Sequence, residues 1–170
     1  MDTDVIHSAF SIGVAVLIQA EPLRCWRNAA LATLRFPGLF ALGAYVEGWI
    51  VVPRMQEIAI VEHGWCTSTE AGIVDPSIVL IEKREQPVFY FPGFELAGSR
   101  VAQQIAGKTV PLVCNSQYGR DGMGHHGYKH SYEQAWLCAH NLARERYLPQ
   151  TAIHVSTRDT RRGLTIIKEG

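Results

Sequence analysis

The spacing of hydrophobic and polar positions changes several times along this chain, and each change marks an expected element. An apolar run from Ala9 to Ala20 predicts a buried helix or strand. Glu21-Pro22 interrupts it, and Arg24 to Arg35 then follows a helical rhythm, with Leu31 and Leu34 on a face near Trp26 and Ala30. Phe36-Pro37-Gly38 stops that helix. Leu42 to Val52 is rich in β-branched and aromatic residues and reads as a strand closed by Pro53. Ile58 to Cys66 reads as a second strand, the polar stretch Thr67 to Ala71 as a loop, and Gly72 to Val79 as a third strand.

Beyond this point the pattern predicts a short strand over Pro87 to Phe91, a helix over Glu95 to Ile105 ended by Gly107, and a short strand over Val110 to Cys114. A turn-rich passage from Asn115 to Gly127 precedes a helix from Ser131 to Arg146, where Ser131 and Gln134 approximate a capping box. Thr151 to Ser156 and Leu164 to Ile167 are expected to form a closing hairpin. Helices and strands that follow one another in this way predict an α+β fold.

Composition narrows the picture. The 170 residues, 47% of them hydrophobic, suit one domain with one core, so residues 1–170 are taken as a single unit with a core region at 19–80 and a C-terminal extension at 85–170. Basic and acidic side chains balance at 16 each, which gives no charge signature for nucleic acid or an anionic membrane. Residues 1–95 carry 6 basic and 11 acidic groups against 10 and 5 in residues 96–170, a mild dipole of a polar surface. The run from Ala9 to Ala20 is too short to span a bilayer, and Asp2 and Asp4 stand where a secretory signal needs basic residues. The four cysteines, at 25, 66, 114 and 138, include no C-x-x-C pair, so reduced thiols in a cytoplasmic protein are expected.

Three residues carry candidate chemistry. Cys25 stands at the expected start of a helix, where the helix dipole favours thiolate over thiol. If the second and third strands pair around the loop from Thr67 to Ala71, Cys66 faces Gly72, paired positions sum to 138, and His63 lies directly opposite Asp75. Cross-strand partners stand roughly 4.5–5.5 Å apart at Cβ, close enough for a carboxylate to hold an imidazole. A thiol, an imidazole and a carboxylate brought together are a nucleophile, its base and the group that orients the base. Each has an ordinary alternative: a core cysteine beside Trp26, a hydrogen-bonded strand histidine, and the turn opener Asp75-Pro76. Gln19, six residues before Cys25, is a candidate oxyanion donor beside the first N–H groups of the helix.

With these residues in view, positions 19 to about 80 resemble the transglutaminase-like superfamily of papain-fold cysteine enzymes. The matching pieces are Cys25 at a helix start, Val46-Glu47-Gly48-Trp49, His63-Gly64-Trp65 and Asp75-Pro76-Ser77, in that order. The resemblance implies a helix bearing Cys25 packed on an antiparallel sheet bearing His63 and Asp75, with additional C-terminal helices. It also implies thioester chemistry on a peptide, protein or small acyl or amide substrate, with no cofactor. Leu23-Arg24 stands where papain-type proteases place Gly-Ser before their Cys-Trp pair, so the kinship is with the broader fold. Reaction type stays open among peptide hydrolysis, deamidation, transamidation and acyl transfer.

The passage Tyr118 to His130 is dense in glycine and histidine. It is a candidate substrate rim, with Arg120, His125 and His126 as polar contacts and Trp65 as a further contact or a shield for the imidazole. A metal reading of His125, His126, His130 and Asp121 is weaker, because adjacent histidines rarely ligate one ion together; no metal site is assigned. The competing account of the whole chain is a non-catalytic binding or structural module that keeps the fold and buries the thiol.

Overall fold

The computed structural model describes residues 8–53, 57–81, 87–105, 112, 129–147, 152–156 and 165–167. Helices α1 (Ser8–Ile18) and α2 (Cys25–Arg35) come first, followed by strands β1 (Ala44–Pro53), β2 (Glu57–Ser68) and β3 (Gly72–Val74). A 3-10 turn, Ile78–Leu80, leads to strand β4 (Phe89–Ala97), helices α3 (Gly98–Ile105) and α4 (Lys129–Tyr147), and strands β5 (Ala152–Ser156) and β6 (Thr165–Ile167). The protein is α+β, with one sheet in the order β4-β1-β2-β5-β6 and β3 beside β2. Among the described residues no helix is long and apolar enough to cross a membrane.

The sheet is mixed rather than antiparallel throughout. β1 pairs antiparallel with β2 and β4, and β3 with β2, but β5 runs parallel to β2 and carries β6 antiparallel on its far side. The closing hairpin expected from the sequence is thus present, joined to β2. β5 reaches β2 only along Glu57 to Val61, and β3 only along Cys66 to Ser68. The intervening stretch, 62–65, has β1 on one side and neither of these strands on the other.

Strand alternation builds two apolar layers. Tyr45, Trp49, Val51, Ile58 and Ile60 pack with residues of α2 and α4 such as Ala29, Ala32 and Ala139. The small buried residues of α2 let that helix lie close to the sheet. Val46, Ile50, Ala59, Trp65, Ile73 and Ile78 form the second layer on the opposite face.

Two boundaries differ from expectation. The third strand ends at Val74 instead of Val79, because the Asp75 carboxylate captures the backbone N–H groups of Ser77 and Ile78 and turns the chain. β4 runs on to Ala97, where a helix was expected from Glu95; its register against β1 jumps between Glu47 and Gly48, leaving Gly93 as the extra residue of a bulge. Pro92 is accommodated because β4 is an edge of the sheet. The expected strand from Val110 to Cys114, Leu112 apart, lies outside the described residues.

Candidate functional site

Asp75 is the most completely held residue of the region. It is 0% exposed, and four hydrogen bonds converge on its carboxylate. Oδ1 accepts the N–H groups of Ser77 and Ile78, both at 2.9 Å, while Oδ2 accepts from His63 Nε2 at 2.7 Å and the Tyr90 hydroxyl at 2.9 Å. Its own N–H donates to Ser11 Oγ of α1 at 3.1 Å. Burial alone would raise the carboxyl group, but His63 and the backbone donors outweigh it and hold the group below the usual carboxylate range. Asp75 is therefore an anion inside the protein.

His63 answers that anion from β2. Burial pulls the imidazole down, yet the Asp75 carboxylate and the Cys25 sulfur, each as a charge and as a hydrogen-bond partner, push it up to about 10. Since Nε2 is taken by Asp75, Nδ1 is the nitrogen left for the sulfur. Trp65 lies nearly parallel to the imidazole, 6.4 Å between centroids and 18° between planes, and Tyr90 meets Trp65 edge-on at 5.1 Å. These rings wall the histidine on one side.

Cys25 is the first residue of α2, and its N-cap, Arg24, makes no side-chain capping bond. The sulfur comes to the ring because the end of the helix meets β2 where neither β3 nor β5 flanks it. A Cβ added to Gly64 would stand 2.9 Å from both Cα and Cδ1 of Trp26, so only glycine at 64 allows this approach. The cysteine is 8% exposed and the histidine 6%. Just before it, Leu23 is held in the left-handed region at φ 62° with its side chain 91% exposed.

The chain matches no protein-family model, no curated protein and no solved structure.

The structure thus brings Cys25, His63 and Asp75 together, by a register other than the expected one. Cys66 pairs with Val74 and Ser68 with Gly72, a shift of two positions that keeps every side chain on its predicted face. His63 and Asp75 are not cross-strand partners; Asp75 reaches the ring from the turn beyond β3. Trp65, expected as a substrate contact, is 1% exposed and offers no surface to a ligand, so it serves as the shield. Gln19 closes α1 at φ 55°, exposed, with its N–H on Val16 O at 3.1 Å. Arg120, His125 and His126 lie outside the described residues. Among the described residues no group of three or more His, Cys, Asp or Glu side chains is placed to hold a metal ion.

Sequence reasoning missed the supports of the triad: Ser11, Asn28, Ser77 and Tyr90. Asn28 carried a signal, three residues after Cys25 on the same helix face; a serine in an apolar helix and a tyrosine in a distant strand carried none. It also missed a polar layer on the other face of the sheet. Glu47, 0% exposed, accepts from Tyr45 at 2.7 Å and from the Leu112 N–H, and Glu62, 4% exposed, accepts from Tyr132 at 2.7 Å. Burial first, then the neighbouring carboxylates, push both phenols up, so they remain donors.

Proposed function

We propose that the protein is a cysteine-dependent enzyme of transglutaminase-like, papain-like architecture that acts on an amide or acyl group. The observation that carries this reading is the His63 ring held by Asp75 at 2.7 Å and placed beside the Cys25 sulfur, with that sulfur at a helix start. The imidazolium and the positive end of the helix dipole stand beside the sulfur as it attacks. The thiolate attacks the substrate carbonyl carbon, and the carbonyl electrons move to oxygen, where first-turn N–H groups of α2 are available as donors. Collapse of the adduct expels the amine, which takes its proton from His63, and leaves a thioester on Cys25. Water or a second amine then attacks the thioester, gives its proton to His63 and releases the thiolate. Asp75 stays ionised throughout and keeps the ring oriented.

Such a nucleophile works only while reduced, which suits a reducing compartment such as the cytoplasm. Incubation with an activated aryl ester of a blocked glutamine or glycine tests the reading. Intact mass measurement should show one acyl group on Cys25, released by hydroxylamine and absent in Cys25→Ser; no adduct on Cys25 with any such ester counts against it.

A binding or structural module is the second reading, favoured by the low exposure of both Cys25 and His63. On that account the ion pair only fastens α2 to the sheet, and the ester leaves the protein unmodified.

A further inference from the structure

We infer that Asn28 is a positioning residue that couples the helix of the nucleophile to the turn of the orienting carboxylate. The inference rests on the proposed Cys25, His63 and Asp75 series.

Asn28 is 0% exposed and lies three residues after Cys25, on the same face of α2. Its side-chain amide is fully used. Nδ2 donates to the Glu21 carbonyl at 2.8 Å and to Ser77 Oγ at 2.9 Å, and Oδ1 accepts the Glu21 N–H at 3.1 Å. The two N–H donors of Nδ2 and the Oδ1 acceptor tie three pieces of chain: the turn before α2, α2 itself, and the segment Asp75-Pro76-Ser77. The contact with Ser77 spans 49 residues of sequence. Ser77 in turn donates its backbone N–H to Asp75 Oδ1, so one short chain of bonds runs from the helix of Cys25 to the carboxylate that holds His63.

The geometry gives this link a task that burial alone does not. Cys25 sits on α2, His63 on β2 and Asp75 on a turn, so their alignment depends on how these three pieces of chain are tied together. A hydrogen-bonded amide fixes both the distance and the rotation of the first helical turn relative to Asp75. Asparagine suits the position because it offers donor and acceptor together without a charge to bury.

The experiment measures the rate of Cys25 alkylation by iodoacetamide against pH, mapped by peptide mass spectrometry, in the wild type, Ser77→Ala, Ser77→Thr and Asn28→Leu. Ser77→Ala removes only the hydroxyl and keeps the backbone bond to Asp75, so it decides the matter if Asn28→Leu does not fold. We expect Ser77→Ala to slow alkylation at pH 6.5 by about tenfold, as a small misplacement of reacting groups does. At pH 10, where a free thiol is ionised in any case, the rate should stay within about twofold of wild type. Ser77→Thr, which keeps the hydroxyl, should restore the pH 6.5 rate. A folded Ser77→Ala protein with the wild-type rate at both pH values overturns the inference, as does an equal loss at both. A wild type whose Cys25 is no more reactive than the other cysteines overturns the underlying reading as well, and that failure is visible before any variant is compared.

Discussion

His63 Nε2 and Asp75 Oδ2 lie 2.7 Å apart although no strand pairing places the two residues opposite each other. β3 ends at Val74, and Asp75 opens a turn whose N–H groups bind one carboxylate oxygen and present the other to the imidazole. The contact is thus fixed by the turn, and it is strengthened by the burial of a 0% exposed carboxylate.

That contact makes stability depend on pH in a defined window. His63 is raised from 6.5 to about 10 in the folded protein, so its contribution is fully present below pH 6.5 and disappears as pH rises through about 10. Asp75 is lowered from 3.8, so its contribution is present above that value and disappears as pH falls through the folded carboxyl group's lower pKa. The stability lost in Asp75→Asn should therefore be largest near pH 5 to 6, on the order of 3 kcal/mol for breaking a buried pair, and should shrink toward pH 10. Urea midpoints of both proteins across this range check the shape; a loss that grows with pH above 7 contradicts it.

Gly64→Ala should separate the sulfur from the ring. The new Cβ meets the Trp26 backbone, which has no flexible end to move aside, so the start of α2 must shift. We expect a destabilisation of about 1–3 kcal/mol, typical of overpacking, together with slower alkylation of Cys25. Thermal unfolding and alkylation of the same sample check it, and unchanged values for both would show that the approach has slack.

How much of this was legible in the chain differs by element. α2 and β2 were readable as elements, but the face expected of α2 was not the buried one: Leu34 is 37% exposed, while Asn28, Ala29, Ala32 and Thr33 are buried. The approach of His63 to Asp75 was found through a hairpin of the wrong register. The error was harmless because a shift of two positions keeps faces in place. The bulge at Gly93 and the parallel attachment of β5 were not readable: both depend on pairing partners distant in sequence, which local pattern does not encode. Trp65 illustrates the same limit at the site, since a strand aromatic beside a histidine looks alike whether it faces a ligand or the core. The glycines of Val46-Glu47-Gly48-Trp49 and His63-Gly64-Trp65 acquire a reason only in three dimensions. A Cβ at 48 would lie 2.2 Å from the Phe91 carbonyl oxygen, and one at 64 would strike Trp26.

Tyr90→Phe should remove one of the two donors on Asp75 Oδ2 and leave the other. With less of its charge drawn away, the carboxylate should hold the imidazolium more tightly, so the His63 titration should move upward. The lost bond to a charged group should lower stability by roughly 1–2 kcal/mol. Nitrogen-15 chemical shifts of the imidazole against pH read the first effect and urea unfolding the second; a downward movement of the titration would show that Tyr90 acts by some other route.

The most direct test of the central claim is the rate at which each cysteine reacts with iodoacetamide at pH 6.5, in the wild type and in His63→Ala. If the sulfur, imidazole and carboxylate work as one unit, Cys25 reacts at least about tenfold faster than Cys66 and Cys138, and loses that advantage in His63→Ala. Equal, slow labelling of all of them in the native protein, indifferent to the histidine, would contradict the account.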